Sequence, residues 1–135
     1  MIRCGIWATP RRLVVAVSDE LRAVGRPLKL PRTRQAREHL LGQLVAHRDP
    51  HELVATCEMR RGDPIVAAAT AMGLRVWLVP SVLVENVAAL VEVDIAARPT
   101  SAAQLLARLP ACAGLRQHLL LLQPNHGDAR QMRLW

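Results

Sequence analysis

Residues 12–18, RLVVAVS, make a run that is apolar on both of its alternating sides. In an extended chain Leu13, Val15 and Val17 point one way and Val14, Ala16 and Ser18 the other. Both sides therefore need cover, and the strand belongs inside a sheet packed on two faces, not on a wetted surface. A second β-type run, Ile2–Trp7, comes just before it, and the two are separated by Ala8-Thr9-Pro10-Arg11. Proline fixes its own φ and has no N–H to donate, so this break reads as a turn between antiparallel partners.

The remaining elements follow in order. Glu20–Gly25 reads as a polar turn and Arg26–Leu30 as a short third strand closed by Pro31, which completes a meander. Thr33–His47 carries Ala36, Leu40, Leu41, Leu44 and Val45 at helical spacing, with Thr33 as the cap. Arg48–His51 is a turn. His47 and His51 flank it but do not share a regular helix across Pro50, so they are not expected to hold a metal. Glu52–Cys57 is the fourth strand. Asp63 as cap and Pro64 at the first helical position open a helix over Pro64–Met72, and Gly73 ends it in a left-handed conformation. Leu74–Val79, stopped by Pro80, is apolar enough for a buried parallel strand. Ser81–Leu90 and Thr100–Leu109 read as helices capped by Ser81 and Thr100, and Ala111–Leu122 as a last apolar helix. The sum is one α/β domain over residues 1–122, a five-stranded mixed sheet with helices on both faces, followed by a polar tail over 123–135.

Composition narrows the partners. A chain of 135 residues, 51% hydrophobic, suits a single buried core. No apolar run reaches membrane-spanning length, since Leu74–Leu90 is interrupted by Arg75, Pro80 and Glu85, and the N-terminus lacks the pattern of a signal peptide. Cys4, Cys57 and Cys112 stand at no metal spacing and read as buried, reduced thiols of a cytoplasmic protein. The net charge is +7, carried by arginines and the single Lys29. Guanidinium groups match phosphate oxygens, so DNA or RNA is the expected partner. The rival reading is a charge that serves solubility. With no Phe or Tyr, base stacking is not a general device here.

Gly5-Ile6, Thr9, Arg11 and Val15-Ala16-Val17-Ser18-Asp19 together resemble the opening hairpin of ribonuclease-H-like proteins. The nearest likeness is to the YqgF/RuvX and RuvC-like resolvase families and the N-terminal domain of DEDD transposases. The block PIVAAATAMGLRVWLVP, residues 64–80, is similar to a second segment of that transposase domain. The resemblance implies strand order 3-2-1-4-5 and an active site in which carboxylates at one end of the central strands hold two Mg²⁺ ions for phosphodiester hydrolysis.

The same resemblance shows what this chain lacks. In these families an acid follows Gly-Ile, and here Trp7 stands there. An indole offers one N–H donor and no oxygen ligand, and it fills the space of a hydrated ion. The second acid falls at Thr56, with Glu58 two residues on, and the last two fall at Pro99 and Ala102. Asp94, Glu92 and Glu58 are the displaced carboxylates nearby. Asp19 is similar to a residue of the YqgF family but lies at the far end of the hairpin from the metal site. The expectation is a degenerate, non-catalytic domain without metal or other cofactor that binds nucleic acid through Arg32, Arg34, Arg37, Arg60 and Arg61, or binds a protein. Helix starts with their free N–H groups favour anions at those arginines. One rival is a divergent Mg²⁺-dependent nuclease using Glu58, Asp94 and Glu92. Another is a module that self-associates through its apolar C-terminal helix.

Overall fold

A computed structural model describes residues 1–46, 51–59 and 63–123. A single sheet has the order β3-β2-β1-β4-β5-β6. Its strands are β1 (Ile2–Ala8), β2 (Arg12–Asp19), β3 (Arg22–Pro31), β4 (His51–Thr56), β5 (Arg75–Val79) and β6 (Leu120–Leu122). The first three form an antiparallel meander, β1, β4 and β5 run parallel, and β6 returns antiparallel on β5. The sheet is thus mixed, as expected, but it has a sixth strand.

That strand corrects the expected C-terminal helix over Ala111–Leu122. The segment is a 3₁₀ turn at Leu109–Ala111, a single helical turn at Ala113–Arg116 and then β6. Pro110 interrupts the helical run near its start, and Leu121 pairs with Trp77, so the apolar residues complete the sheet edge. Self-association through a long apolar helix consequently has no helix to use.

The third strand also departs from expectation. The polar turn is only Glu20-Leu21, with Glu20 at φ 54°, and β3 runs for ten residues. Gly25 lies within it at φ +69°, where the pairing skips from Val15↔Leu28 to Val17↔Val24. This β-bulge needs a left-handed residue, and the glycine that reads as turn chemistry in the sequence supplies it mid-strand.

Helices cover both faces. On one, α1 (Arg34–Ala46) and α2 (Ile65–Ala71) pack Leu40, Leu41, Leu44, Ile65 and Ala69 on Cys4, Ile6, Leu53, Ala55, Val76 and Leu78. On the other, α3 (Ser81–Leu90) and α4 (Pro99–Arg108) set Val84, Ala103 and Leu106 over Val14, Val54, Trp77 and Val79. Thr33 caps α1, its Oγ1 accepting the N–H of Ala36 at 3.2 Å. Asp63 Oδ1 accepts the N–H of Ile65 at 2.9 Å and opens α2, and Gly73, at φ 90°, closes it. Ser81 and Thr100 do not cap: α3 and α4 start without a side-chain cap bond, α4 with Pro99 at its first position. Val45 stays exposed instead of joining the core. Cys4 is buried, and burial pushes its thiol up to about 12. Cys57 and Cys112 are reduced and only half-buried, not buried as expected.

α4 packs tightly on β1. A Cβ placed on Gly5 would stand 2.2 Å from the carbonyl oxygen of Ala103 and 2.6 Å from the N of Ala107. Both neighbours are helix backbone and cannot rotate away. Gly42, on the outer side of α1, has nothing within 4 Å of such a Cβ. Gly5→Ala should therefore lower unfolding stability by about 3 kcal/mol or more. Gly42→Ala should raise it by about 0.5–1 kcal/mol through helix propensity. Urea unfolding of the two variants checks the pair, and a Gly5→Ala protein as stable as the parent would contradict this packing.

Candidate functional site

The carboxyl ends of β1 and β4 lie side by side, and here the sequence reading looks for acids. Trp7 occupies that end of β1. Its ring packs against the Val54/Trp77/Leu106 cluster and the Val14/Ala103 cluster alike. It forms one wall of an open cavity of about 270 Å³ with Ala8, Thr9, Pro10, Glu85, Ile95, Ala96 and Pro99. Thr56, the other position of interest, is buried. Ala102 is buried in α4. The lining therefore holds one carboxylate, Glu85, which the sequence reading notes only as a break in an apolar run. Its place follows from the pitch of α3, which puts Glu85 one turn beyond Ser81.

The displaced acids have internal partners. Glu58 accepts a hydrogen bond from the Ser81 hydroxyl at 2.7 Å. Partial burial works to raise its pKa, but the bonds from Ser81, from its own N–H and from Thr56 outweigh this and hold the carboxyl below its ordinary 4.5. Asp94 folds over its own turn, with Oδ1 accepting the N–H of Ala96 at 3.1 Å and of Ala97 at 3.2 Å. Glu92 sits at φ 58° just past α3, where Val93 N–H reaches the Ala88 oxygen and Glu92 N–H the Ala89 oxygen. These are helix-termination bonds. Among the described residues no group of three His, Cys, Asp or Glu side chains is placed to hold a metal ion.

Two of the helix-start arginines, Arg32 and Arg37, come together around a carboxylate. Arg32 Nε and Nη2 each lie 3.3 Å from Asp63 Oδ2, while its Nη1 donates to the Thr9 carbonyl at 3.0 Å. Arg37 Nη1 is 3.7 Å from the same Asp63 oxygen. Asp63 thus ties the end of β3 and the start of α1 to the start of α2. Arg34 pairs with Glu38 at 2.8 Å, one turn along α1, and is largely exposed. Arg60 and Arg61 lie outside the described residues. Arg34, Arg37 and Glu38 also rim an apolar groove of about 410 Å³ floored by Leu41, Pro64, Ala68, Ala71 and Met72.

A buried ionic row is the feature that sequence reasoning misses. Register sets Arg3 of β1, Glu52 of β4 and Arg75 of β5 side by side. Glu52, 3% exposed, accepts from Arg3 Nε at 2.8 Å and from the Trp77 indole N–H at 2.9 Å, with Arg75 Nη1 at 3.5 Å. Arg3 Nη1 has no hydrogen-bond acceptor but lies within ion-pair range, 3.5 Å, of Glu20. Removing Arg3 or Glu52, the two buried members, costs about 3–5 kcal/mol because the remaining charge is stranded, whereas Arg75 is half exposed. The signal in the sequence is slight: one charge at the head of each apolar strand, legible only once the register is known. The row lies at the amino ends of β1, β4 and β5, opposite Trp7, and its role is to align those strands.

Neither the scan of protein-family models nor the comparison with curated proteins matches this chain.

The Glu58–Ser81 bond gives a pH test. A carboxyl whose folded pKa is depressed adds stability that is present above its unfolded value and lost as pH falls through the folded one. Ser81→Ala should therefore cost about 1 kcal/mol at pH 7, being partly exposed, and the cost should shrink below pH 4.5. Side-chain NMR titration of Glu58 should give a midpoint below 4.5 in the parent and a higher one in Ser81→Ala. Equal midpoints in the two proteins would remove the bond from the account.

Proposed function

We propose that this chain is a non-catalytic ribonuclease-H-like domain that works by binding nucleic acid. The observation that carries the reading is Trp7. The order β3-β2-β1-β4-β5, with an antiparallel meander leading into parallel strands, supports the likeness of fold. In that likeness the end of β1 is where the leading metal-binding acid would stand. Here an indole fills it, wedged into both clusters on that face. Glu58 and Asp94 are held by Ser81 and by backbone N–H groups, at separate turns. A two-ion mechanism needs convergent hard oxygen ligands, and Glu85 is the carboxylate that lines the Trp7 cavity.

Charge supports a polyanion as the ligand. The chain carries 18 Lys and Arg against 11 Asp and Glu. A field of that sign steers phosphates and weakens with salt. Arg34, the exposed guanidinium at the start of α1, is the helix-start residue best placed to contribute, since Arg32 and Arg37 face Asp63. A protein partner is the second reading, favoured by the apolar floor of the groove between α1 and α2.

The reading predicts no Mg²⁺- or Mn²⁺-dependent cleavage of DNA or RNA, together with DNA binding that weakens as salt rises. Gel assays on labelled substrates and fluorescence anisotropy measure the two. Metal-dependent cleavage that disappears in a Glu58→Gln variant would establish the nuclease instead. Absence of DNA binding at low salt would place the groove and a protein partner ahead.

A further inference from the structure

The edge strand β3 carries an unneutralised basic surface that the helix-start arginines do not share. Arg22, Arg26 and Lys29 on β3, with Arg11 and Arg12 at the β1–β2 turn, are all exposed. No described residue forms an ion pair or hydrogen bond with the cationic side chain of any of these five, in contrast to Arg3, Arg32, Arg34, Arg37 and Arg75. The nearest acids in the strand register, Asp19 and Glu20 at the β2–β3 turn, are drawn to the N-terminal ammonium at 3.4 and 3.2 Å. Apolar residues interleave with the charges: Leu21 is 60% exposed, Val24 45% and Leu28 54%.

Cations on an edge strand have a plain protective role, since they discourage strand-to-strand aggregation. The bulge at Gly25 and the adjacent Pro27 already interrupt this edge. Protection alone also leaves unexplained why the surface is of one sign and why large apolar side chains remain open between the charges. An added peptide strand would need a regular run of free N–H and C=O groups, which bulge and proline deny it. A second copy would bring the same five cations against these. A sugar–phosphate backbone needs neither regular main-chain pairing nor opposite side-chain charge from the protein, and its sugars tolerate apolar contact.

We propose that the β3 edge, through Arg22, Arg26 and Lys29 with Arg11 and Arg12 beside them, is the surface on which a nucleic-acid backbone docks. The inference rests on nucleic-acid binding as the function and locates it on a face other than the helix starts. In register, Arg22 and Lys29 stand opposite Asp19 and Val14, five strand steps or about 17 Å at 3.3 Å per residue, the axial length of about five base pairs. Without aromatic side chains among them the contacts are to phosphates, so binding ignores sequence.

The test is anisotropy of two unrelated fluorescein-labelled 20-base-pair DNA duplexes between 20 and 200 mM KCl. Five phosphate contacts give a slope of log Kobs against log salt of about −4.5 at most, the same for both duplexes. The triple variant Arg22→Gln/Arg26→Gln/Lys29→Gln should make the slope shallower by about 2.7 and weaken low-salt binding at least about tenfold. Arg22→Lys/Arg26→Lys, which keeps the charge, should stay close to the parent. The single Arg26→Gln, expected to remove about 0.9 from the slope, decides the matter by the same criterion should the triple variant aggregate. A triple or single variant with the parent's slope, or a loss that appears with Arg34→Gln instead, overturns the β3 surface while leaving nucleic-acid binding in place. No binding by the parent at 20 mM salt overturns both.

Discussion

Everything on one face of the sheet depends on how close α4 comes to β1. At Gly5 the strand has no side chain, and the helix backbone at Ala103 and Ala107 rests where a Cβ would be. Ala102, Ala103 and Ala107 are fully buried, so the helix contributes mostly its own main chain to the contact. Dispersion at such short range is favourable, and small residues on both sides are what allow it. The same approach fixes the start of α4 beside Trp7, because Pro99 and Trp7 share the wall of one cavity. The shape of the carboxyl end of β1 is thus set two residues before Trp7, at a glycine.

The two ends of the sheet carry different chemistry. At the amino ends of β1, β4 and β5 a buried carboxylate is shared by two guanidiniums and an indole, a set whose effect is on register. At the carboxyl ends an indole stands among apolar residues with Glu85 at the rim. Asp63 plays the engaging role a second time, where β3, α1 and α2 meet. Carboxylates in this protein mostly hold elements together. Among the described residues, the cations along β3, Arg22, Arg26 and Lys29, form no ion pair. That division of labour suits a domain that presents charge to a ligand more than one that assembles ions for hydrolysis.

Much of the fold was readable because its signals are local. The two-sided apolar run at 13–17, the Asp63-Pro64 start, the Gly73 stop and the Thr33 cap each depend on neighbours within a few residues. The sixth strand was not readable. Leu120–Leu122 is an apolar run without period, and only the empty edge of β5 decides that it becomes strand and not helix. Gly25 looked like turn chemistry and proved to be bulge chemistry, because the same φ serves both. The site was less legible still. Basic residues before a helix suggested an anion site, yet whether Asp63 turns toward them is a tertiary fact. The β3 cations were passed over because their freedom from carboxylates is visible only in three dimensions.

The central claim is that ligand meets the β3 edge while the Trp7 end of the sheet stays uninvolved. Amide and indole chemical shifts of ¹⁵N-labelled protein, followed during titration with a short DNA duplex and then with Mg²⁺, test it most directly. The account predicts that DNA shifts amides across residues 22–31, while the Trp7 indole and the surroundings of Glu58 and Glu85 respond to neither addition. Shifts concentrated at Trp7, Glu58 and Glu85 that require Mg²⁺ would contradict it and return the carboxyl end of β1 to the role of active site.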